Sequence, residues 1–342
     1  MMMKVLVYID HHAGAITPAT WEALGAGRKL SQDLQIPMEA LVLGNNTASL
    51  ASAVAEKSGV HVHAAEDASL EHFRADVYAS AAAPLAEGTE VVLLPDNGRT
   101  REFAAMLAVD LNVGLIPDVV ALDVRDGNLQ AARAIYSGKV RSTVLGTGRK
   151  PIILTLRSRV FAPDAEQTGP GEIESVAVAS VPSGVEVLGF EESRGGANLA
   201  DAAVIVAGGR GVVNNPALDP PPSITDQDAI DAWRAEQGFA ELQTLADAIG
   251  AALGATRAVV DAGFIPYAHQ IGQTGKVVSP DLYIAFGISG AIQHLAGIRS
   301  ARTVVAVNKD PDAPIFRSAR FGLVTDMHEV IPALTKAFLE AS

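Results

Sequence analysis

Apolar residues fall along this chain in two alternating forms. Short unbroken runs, such as Val5–Ile9 and Met38–Leu43, suit strands buried on both faces. Between them lie longer mixed stretches with apolar residues at helical spacing, Thr20–Gln32 and Ala48–Lys57, the second closed by Gly59. Val91–Leu94 repeats the strand pattern, Pro95–Gly98 reads as a turn, and Arg101–Leu111 reads as a helix. This alternation predicts a mainly parallel sheet. After about residue 115 the pattern changes. Leu129–Tyr136, Lys139–Leu145 and Pro151–Leu156 read as strands with short connections, Ser137-Gly138 as a hairpin turn, Ala162–Gly171 as a loop and Glu186–Phe190 as a last strand.

Glu191–Asn198 is polar and glycine-rich and reads as a linker, so domains are expected over 1–190 and 200–342, with 191–199 between them. Alternation restarts beyond it. Ala203–Ala207, Ala258–Asp261, Leu282–Phe286 and Thr303–Asn308 read as strands; Ala240–Leu253, Gly290–Leu295 and Met327–Leu339 read as helices. Within Asn214–Gly238, the run Pro220–Pro222 predicts extended chain, and Thr225 is placed to cap a short helix carrying Trp233. The expected fold class is α/β: two domains, each a mainly parallel sheet flanked by helices.

Composition narrows the chemistry. At roughly 150 residues per domain, 342 residues suggest two domains. Hydrophobic residues make up 49% but aromatics only 5%, so the core is aliphatic, as buried parallel strands require. The 26 basic and 39 acidic residues give a net charge of −13, which argues against nucleic acid or an anionic membrane as partner. Cysteine is absent, which excludes disulfides, thiolate nucleophiles and cysteine-ligated metal centres. A redox role would need an organic cofactor or a cysteine-free metal site. No apolar run reaches about 18 residues, so a membrane-embedded protein is not expected. Val5–Ile9 is too short for a signal-peptide core, and a bacterial-type cytoplasmic protein without a targeting segment is expected.

Candidate chemistry concentrates in the second half. Three glycine loops occur within residues 208–290: Gly208-Gly209-Arg210-Gly211, Gly272-Gln273-Thr274-Gly275 and Gly287-Ile288-Ser289-Gly290. Glycine loops at strand ends let backbone amides approach phosphates, and Arg210 offers a bidentate partner. Each loop alone reads equally well as a turn, since none matches a dinucleotide or Walker fingerprint; together they point to a nucleotide site. Arg257 is either a solvated strand end or fixed charge facing an anion. His294 is either a satisfied structural group or a donor to a carbonyl. Asn308 and Asp326 lie at strand ends, where ligand-binding side chains gather. His61 and His63 alternate on a strand with no carboxylate close in sequence, so no metal site is expected; His11-His12 reads as a surface loop. No acyl-transfer triad can be assembled.

Leu282–Gly297 (Leu-Tyr-Ile-Ala-Phe-Gly-Ile-Ser-Gly-Ala-Ile-Gln-His-Leu-Ala-Gly), followed by Val305–Phe316, closely resembles the signature of electron-transfer flavoprotein alpha subunits. Ala203–Gly211, Gly254–Gly263 and Ile271–Lys276 resemble that family too, and the first 190 residues fit it more loosely in length and strand order. The resemblance implies an electron carrier without substrate turnover of its own. The N-terminal domain would pack against a beta subunit, and a Rossmann-like C-terminal domain would hold one FAD; AMP or a second FAD would belong to the beta subunit. Electrons would pass from acyl-CoA dehydrogenases of fatty acid beta-oxidation, or other flavin dehydrogenases, to a quinone oxidoreductase. An NADH-oxidising bifurcating complex and a non-redox adenine-nucleotide module remain alternatives.

The resemblance also assigns residues. Arg210, Thr256, Ser289 and Asn308 would line the phosphate and ribose, with Asp326 near the adenosine. Gln273 and Thr274 would face the isoalloxazine, the Thr274 hydroxyl near N5, with Arg257 over the ring and His294 donating toward the C2 carbonyl. Ile271, Gly272, Gly290, Ala291, Ile292, Gln293 and Met327 complete the implied FAD site. A reduced flavin bears negative charge on N1 and the C2 oxygen, which a guanidinium and an imidazole donor stabilise in a low-dielectric pocket. Two features depart from the family pattern: Thr256 stands where serine is common, and the proline-rich Asn214–Gly238 segment is longer.

Overall fold

The structure is a computed structural model that describes residues 3–136, 138–165, 169–178, 183–190 and 199–341. It divides into two compact units, 1–190 and 191–342.

The first unit is built on one nine-stranded sheet. Its strands are β1 (Val5–Tyr8), β2 (Met38–Gly44), β3 (His61–Glu66), β4 (Val91–Pro95), β5 (Leu115–Arg125), β6 (Asn128–Ile135), β7 (Val140–Leu145), β8 (Ile152–Leu156) and β9 (Ile173–Ala177), in the spatial order β9-β3-β2-β1-β4-β8-β5-β6-β7. All neighbours are parallel except β5-β6 and β6-β7. The unbroken apolar runs have the reason expected of them: β1 is buried on both faces. Val5 and Val7 pack with Leu24 and Leu30 of α1 (Pro18–Leu34) and Val54 of α2 (Ala48–Ser58). Leu6 and Tyr8 pack with Val77 of α3 (Ala75–Ala86) and Phe103 of α4 (Gly98–Asp110) on the opposite face.

The second unit holds five parallel strands: β10 (Val204–Gly208), β11 (Ala252–Ala255), β12 (Leu282–Phe286), β13 (Thr303–Asn308) and β14 (Phe321–Val324), in the order β11-β10-β12-β13-β14. One face is covered by Leu242 and Leu245 of α5 (Gln227–Ala248) and Ile331 of α8 (Met327–Ala341). Ile271, Ile298 and Ile315 cover the other; short helices α6 (Arg257–Asp261) and α7 (Ile292–Ile298) follow β11 and β12.

Several expectations change. Glu186–Phe190 forms no strand; Leu188 is 91% exposed, and the sheet edge is instead Ile173–Ala177. The Ala240–Leu253 helix ends at Ala248, because Gly250 at φ +63° turns the chain and Ala251 N–H bonds back to Ala246. Ala252–Ala255 then supplies the strand, and Ala258–Asp261 falls in helix α6; a short apolar run suits either state until its neighbours decide. The Gly290–Leu295 helix starts later, at Ile292, and runs to Ile298. Asp226, not Thr225, caps α5, accepting from Ala229 N–H at 3.1 Å, and Trp233 sits on a helix of 22 residues rather than a short one. Much of the proline-rich segment is therefore helix. Leu115–Arg125 and α3 were not foreseen. The linker residues Glu191–Asn198, and Ser137 of the hairpin turn, lie outside the described residues, while Leu199 is buried in the core of the second unit.

Candidate functional site

In the second unit all five strands are parallel, so all five carboxyl ends fall on one edge of the sheet. Each end carries residues singled out in the sequence: Arg210 after β10, Thr256 and Arg257 after β11, Ser289 and Gly290 after β12, Asn308 at the end of β13, and Asp326 and Met327 after β14. From β10 the chain builds β11 on one side and later β12 on the other. The strand order thus reverses between β10 and β12, and the crevice at such a point is where open α/β sheets bind ligands.

The loops leaving β10 and β12 meet there backbone to backbone. Gly209 N–H donates to Phe286 O at 2.9 Å and Gly211 N–H to Gly287 O at 3.2 Å. A Cβ on Gly209 would stand 2.3 Å from Gly287 O, and one on Gly287 would stand 2.8 Å from Gly211 Cα; Gly287 also needs φ +61°. Only glycine lets these strands of backbone lie together. Met327, buried, packs its sulfur against both Gly211 and Gly287. It supports the loops from the core.

The polar residues divide by how far they are already committed. Arg210 is exposed and has no ion-pair partner among the described residues. Ser289 is exposed, and its carbonyl accepts Ile315 N–H at 3.0 Å. Thr256, half-buried, is tied to the first loop by its N–H to Gly208 O at 3.1 Å. Asn308 braces the loops: its Nδ2 donates to Ile288 O at 2.9 Å and its Oδ1 accepts Asp310 N–H at 3.0 Å, leaving one amide hydrogen. Asp326 pairs with Lys309 at 2.6 Å and accepts His328 N–H at 2.9 Å. Burial alone would raise its pKa, but these bonds outweigh it and hold the carboxyl below its ordinary value.

A second loop joins this edge. Ile271 N–H donates to Ala255 O at 2.9 Å and Gln273 N–H to Gln293 O at 2.8 Å, so Ile271–Thr274 lies between the end of β11 and the start of α7. Gly272 sits directly against Gly297 of α7, where a Cβ would come within 2.5 Å of Gly272 N. Tyr267 Oη donates to Thr274 O at 2.7 Å, and buried Gln270 donates Nε2–H to Thr274 Oγ1 at 3.2 Å. The Thr274 hydroxyl thus keeps its own proton to donate. Gln273, Thr274, Ala291, Ile292 and Gln293 are exposed along the rim, while Ile271, Gly272 and Gly290 are buried in its base. Arg257 is exposed and pairs with Asp261 one turn on, at 2.9 Å.

His294 differs from its expected role. It is 5% exposed, and both ring nitrogens are spent inside the protein. Nδ1 donates to Ile271 O at 3.1 Å, since a carbonyl only accepts; Nε2 must then accept the Tyr283 hydroxyl at 2.9 Å. No N–H remains for a flavin carbonyl. Burial pushes the His294 pKa down to about 4, with the Ile271 bond opposing, so the ring is neutral. It holds the Ile271–Thr274 loop in place. Tyr283 and Gln270, both buried and both orienting this loop, were missed in the sequence; the signal was a tyrosine inside an aliphatic strand, whose hydroxyl needs a partner.

This edge suits an extended anionic dinucleotide. It offers a glycine cradle that any Cβ would fill, a guanidinium with no ion-pair partner among the described residues, exposed hydroxyls and a polar rim over a rigid base.

Comparison with known proteins matches a separate family model within each unit. Residues 5–181 match the family model of the electron transfer flavoprotein domain, and residues 231–299 that of the electron transfer flavoprotein FAD-binding domain. The chain is 37% identical to electron transfer flavoprotein subunit alpha of Bacillus subtilis over 342 residues, covering 99% of this chain and 98% of that protein. It is 35% identical to the Pseudomonas aeruginosa subunit alpha, covering 98% of this chain and all of that protein. Against the probable mitochondrial subunit alpha of Caenorhabditis elegans it is 36% identical, covering 98% and 93%. Among the described residues no helix is long and apolar enough to cross a membrane.

Proposed function

The chain belongs to the electron transfer flavoprotein alpha-subunit family, whose members bind flavin and carry electrons, and on that premise we propose that it holds one FAD along the carboxyl edge of its five-stranded sheet. In this reading it pairs with a beta subunit and carries electrons from flavin dehydrogenases, such as acyl-CoA dehydrogenases, to a quinone oxidoreductase, turning over no substrate of its own. The observation that carries it is the backbone-to-backbone meeting of the Gly209 and Gly287 loops at the point where the strand order reverses.

Bound FAD supplies the electron chemistry; the chain supplies binding, orientation and charge. Arg210 pairs with the pyrophosphate, and the hydroxyls of Ser289 and Thr256 add donors beside it. Asn308 contributes its one free amide hydrogen and otherwise fixes the β12 and β13 loops in register. Asp326, kept ionised by Lys309, is an acceptor for ribose or adenine hydrogens. Gln273 and Thr274 face the ring, with Thr274 Oγ1 oriented by Gln270 so that its proton points outward. Ile271, Gly272, Gly290 and Met327 form the base, and Ala291, Ile292 and Gln293 the rim. His294 positions rather than donates. Arg257 places positive charge at the ring, tempered by Asp261.

The reading is tested with the full chain co-produced with its beta subunit. The complex is expected to be yellow and to lose its flavin band when an acyl-CoA dehydrogenase and its acyl-CoA are added; a colourless complex, or a band that persists, contradicts it. In the same material Arg257→Ala should lower the flavin midpoint potential, read by spectroelectrochemical titration. An unchanged potential removes Arg257 from the ring.

A further inference from the structure

The sheet edge of the first unit brings together two histidines and three carboxylates that are far apart in the sequence. His61 and His63 stand on one face of β3. The register places Glu39 of β2 beside His61 on one side, and Glu174 of β9 beside His63 on the other. Glu174 Oε2 lies 2.9 Å from His63 Nδ1 and 3.2 Å from His61 Nε2. We propose that His61, His63 and Glu174 form a binding site for a zinc-class divalent cation that clamps the edge strand β9 to β3.

The proton on His63 decides which ring nitrogen faces Glu174. Its Nε2 is 2.6 Å from Glu39 Oε2 and 3.4 Å from Lys4 Nζ. Lys4 pairs with the same Glu39 oxygen at 2.5 Å. A carboxylate can only accept, so the close contact makes Nε2 the donor. In the neutral ring, Nδ1 then carries a lone pair. That atom is buried, makes no well-formed hydrogen bond among the described residues, and faces the Glu174 carboxylate. Two acceptors at 2.9 Å repel unless a proton or a metal cation lies between them. The chain that results, carboxylate to imidazole to ion, is the usual way a protein fixes the tautomer of a metal-binding histidine.

The geometry and charge agree. Two ligands each about 2.0–2.1 Å from one ion at the tetrahedral angle stand roughly 3.3–3.4 Å apart. Glu174 Oε2 is 2.9 and 3.2 Å from the two histidine nitrogens, so a modest opening of the cluster admits the ion. All three ligand atoms lie within 4.8 Å of one another, and half-exposed His61 has the freedom to close the rest. His61 Nδ1 is 3.7 Å from Glu172 Oε2, which gives this ring an outer carboxylate as well. Glu39, Glu172 and Glu174 against Lys4 leave an excess of two negative charges for a dication. Imidazole nitrogens favour zinc and its neighbours over magnesium or calcium, which take oxygen. Three protein ligands leave a fourth position for water. The ion would join residues 113 positions apart, His61 and Glu174.

The test uses the full chain, untagged and stripped with a chelator, titrated calorimetrically with zinc chloride alone. One equivalent is expected to bind. Glu174→Gln, at an exposed position, and His61→Ala should each weaken it beyond the roughly 10–100-fold that loss of an outer partner costs. Their flavin content should match that of the wild type. No uptake by the wild type overturns the proposal. Equal uptake by all three proteins also overturns it, because the zinc would then sit on other groups.

Discussion

Gly209→Val is expected to leave the purified protein without flavin and to destabilise it by about 1–3 kcal/mol, the usual cost of forcing carbon into packed space. The first added carbon would stand 2.3 Å from Gly287 O, and the neighbouring contact is backbone, which cannot rotate away. The β10 and β12 loops must separate, and the bonds Gly209 N–H to Phe286 O and Gly211 N–H to Gly287 O go with them. Gly98→Ala is the control. Its Cβ would meet nothing within 4 Å, so the change should be neutral or slightly stabilising and should keep flavin. The ratio of flavin to protein absorbance after gel filtration, with unfolding by urea, reads both effects. A Gly209→Val protein with a full complement of flavin would show that the loop pair does not hold it.

Acid is expected to destabilise the protein through His294 by about 3 kcal/mol, at 1.36 kcal/mol per unit of pKa shift. In the unfolded chain this histidine takes up a proton near its ordinary pKa of 6.5, whereas the buried ring does so only near 4. Between those values the unfolded state binds more protons, so stability falls as pH falls from 6.5 toward 4, and the full loss is present below 4. Above 6.5 this group contributes no pH dependence. Urea unfolding of the wild type and of His294→Leu, compared from pH 7 down to pH 4, isolates the effect. The gap between the two proteins should narrow as the pH drops, because only the wild type pays for burying a neutral ring. A constant gap across that range would mean that His294 titrates as it does in the unfolded chain, and that its ring is not buried as the structure has it.

How far the sequence could be read follows from which forces are local. The runs Val5–Ile9, Leu282–Phe286 and Thr303–Asn308 announced themselves because a strand buried on both faces has almost no alternative to aliphatic residues. The Ala252–Ala255 strand did not. It continues the apolar pattern of α5, and only Gly250 and pairing with β10 separate the two. Ile173–Ala177 was hidden for another reason: it is a short edge strand, mostly exposed, and Glu174 and Ser175 interrupt its apolar residues, so it carries little signal. The site residues were legible as strand ends and as a family signature, and the structure brings them to one edge. What each side chain does there was less legible. The partners of His294, Tyr283 eleven residues earlier and the carbonyl of Ile271, are set by packing. The same holds for His61 and His63, whose nearest carboxylates come from strands β2 and β9. A search for ligands close in sequence passes over them.

The central claim is that FAD lies along the carboxyl edge of the five-stranded sheet. A crystal structure of the flavin-loaded protein tests it most directly. The predicted result is density for the pyrophosphate between the Gly208–Gly211 and Gly287–Gly290 loops, beside Arg210 and Ser289, with the ring against Gln273 and Thr274. A dinucleotide seated elsewhere, with that crevice filled only by water, would contradict it.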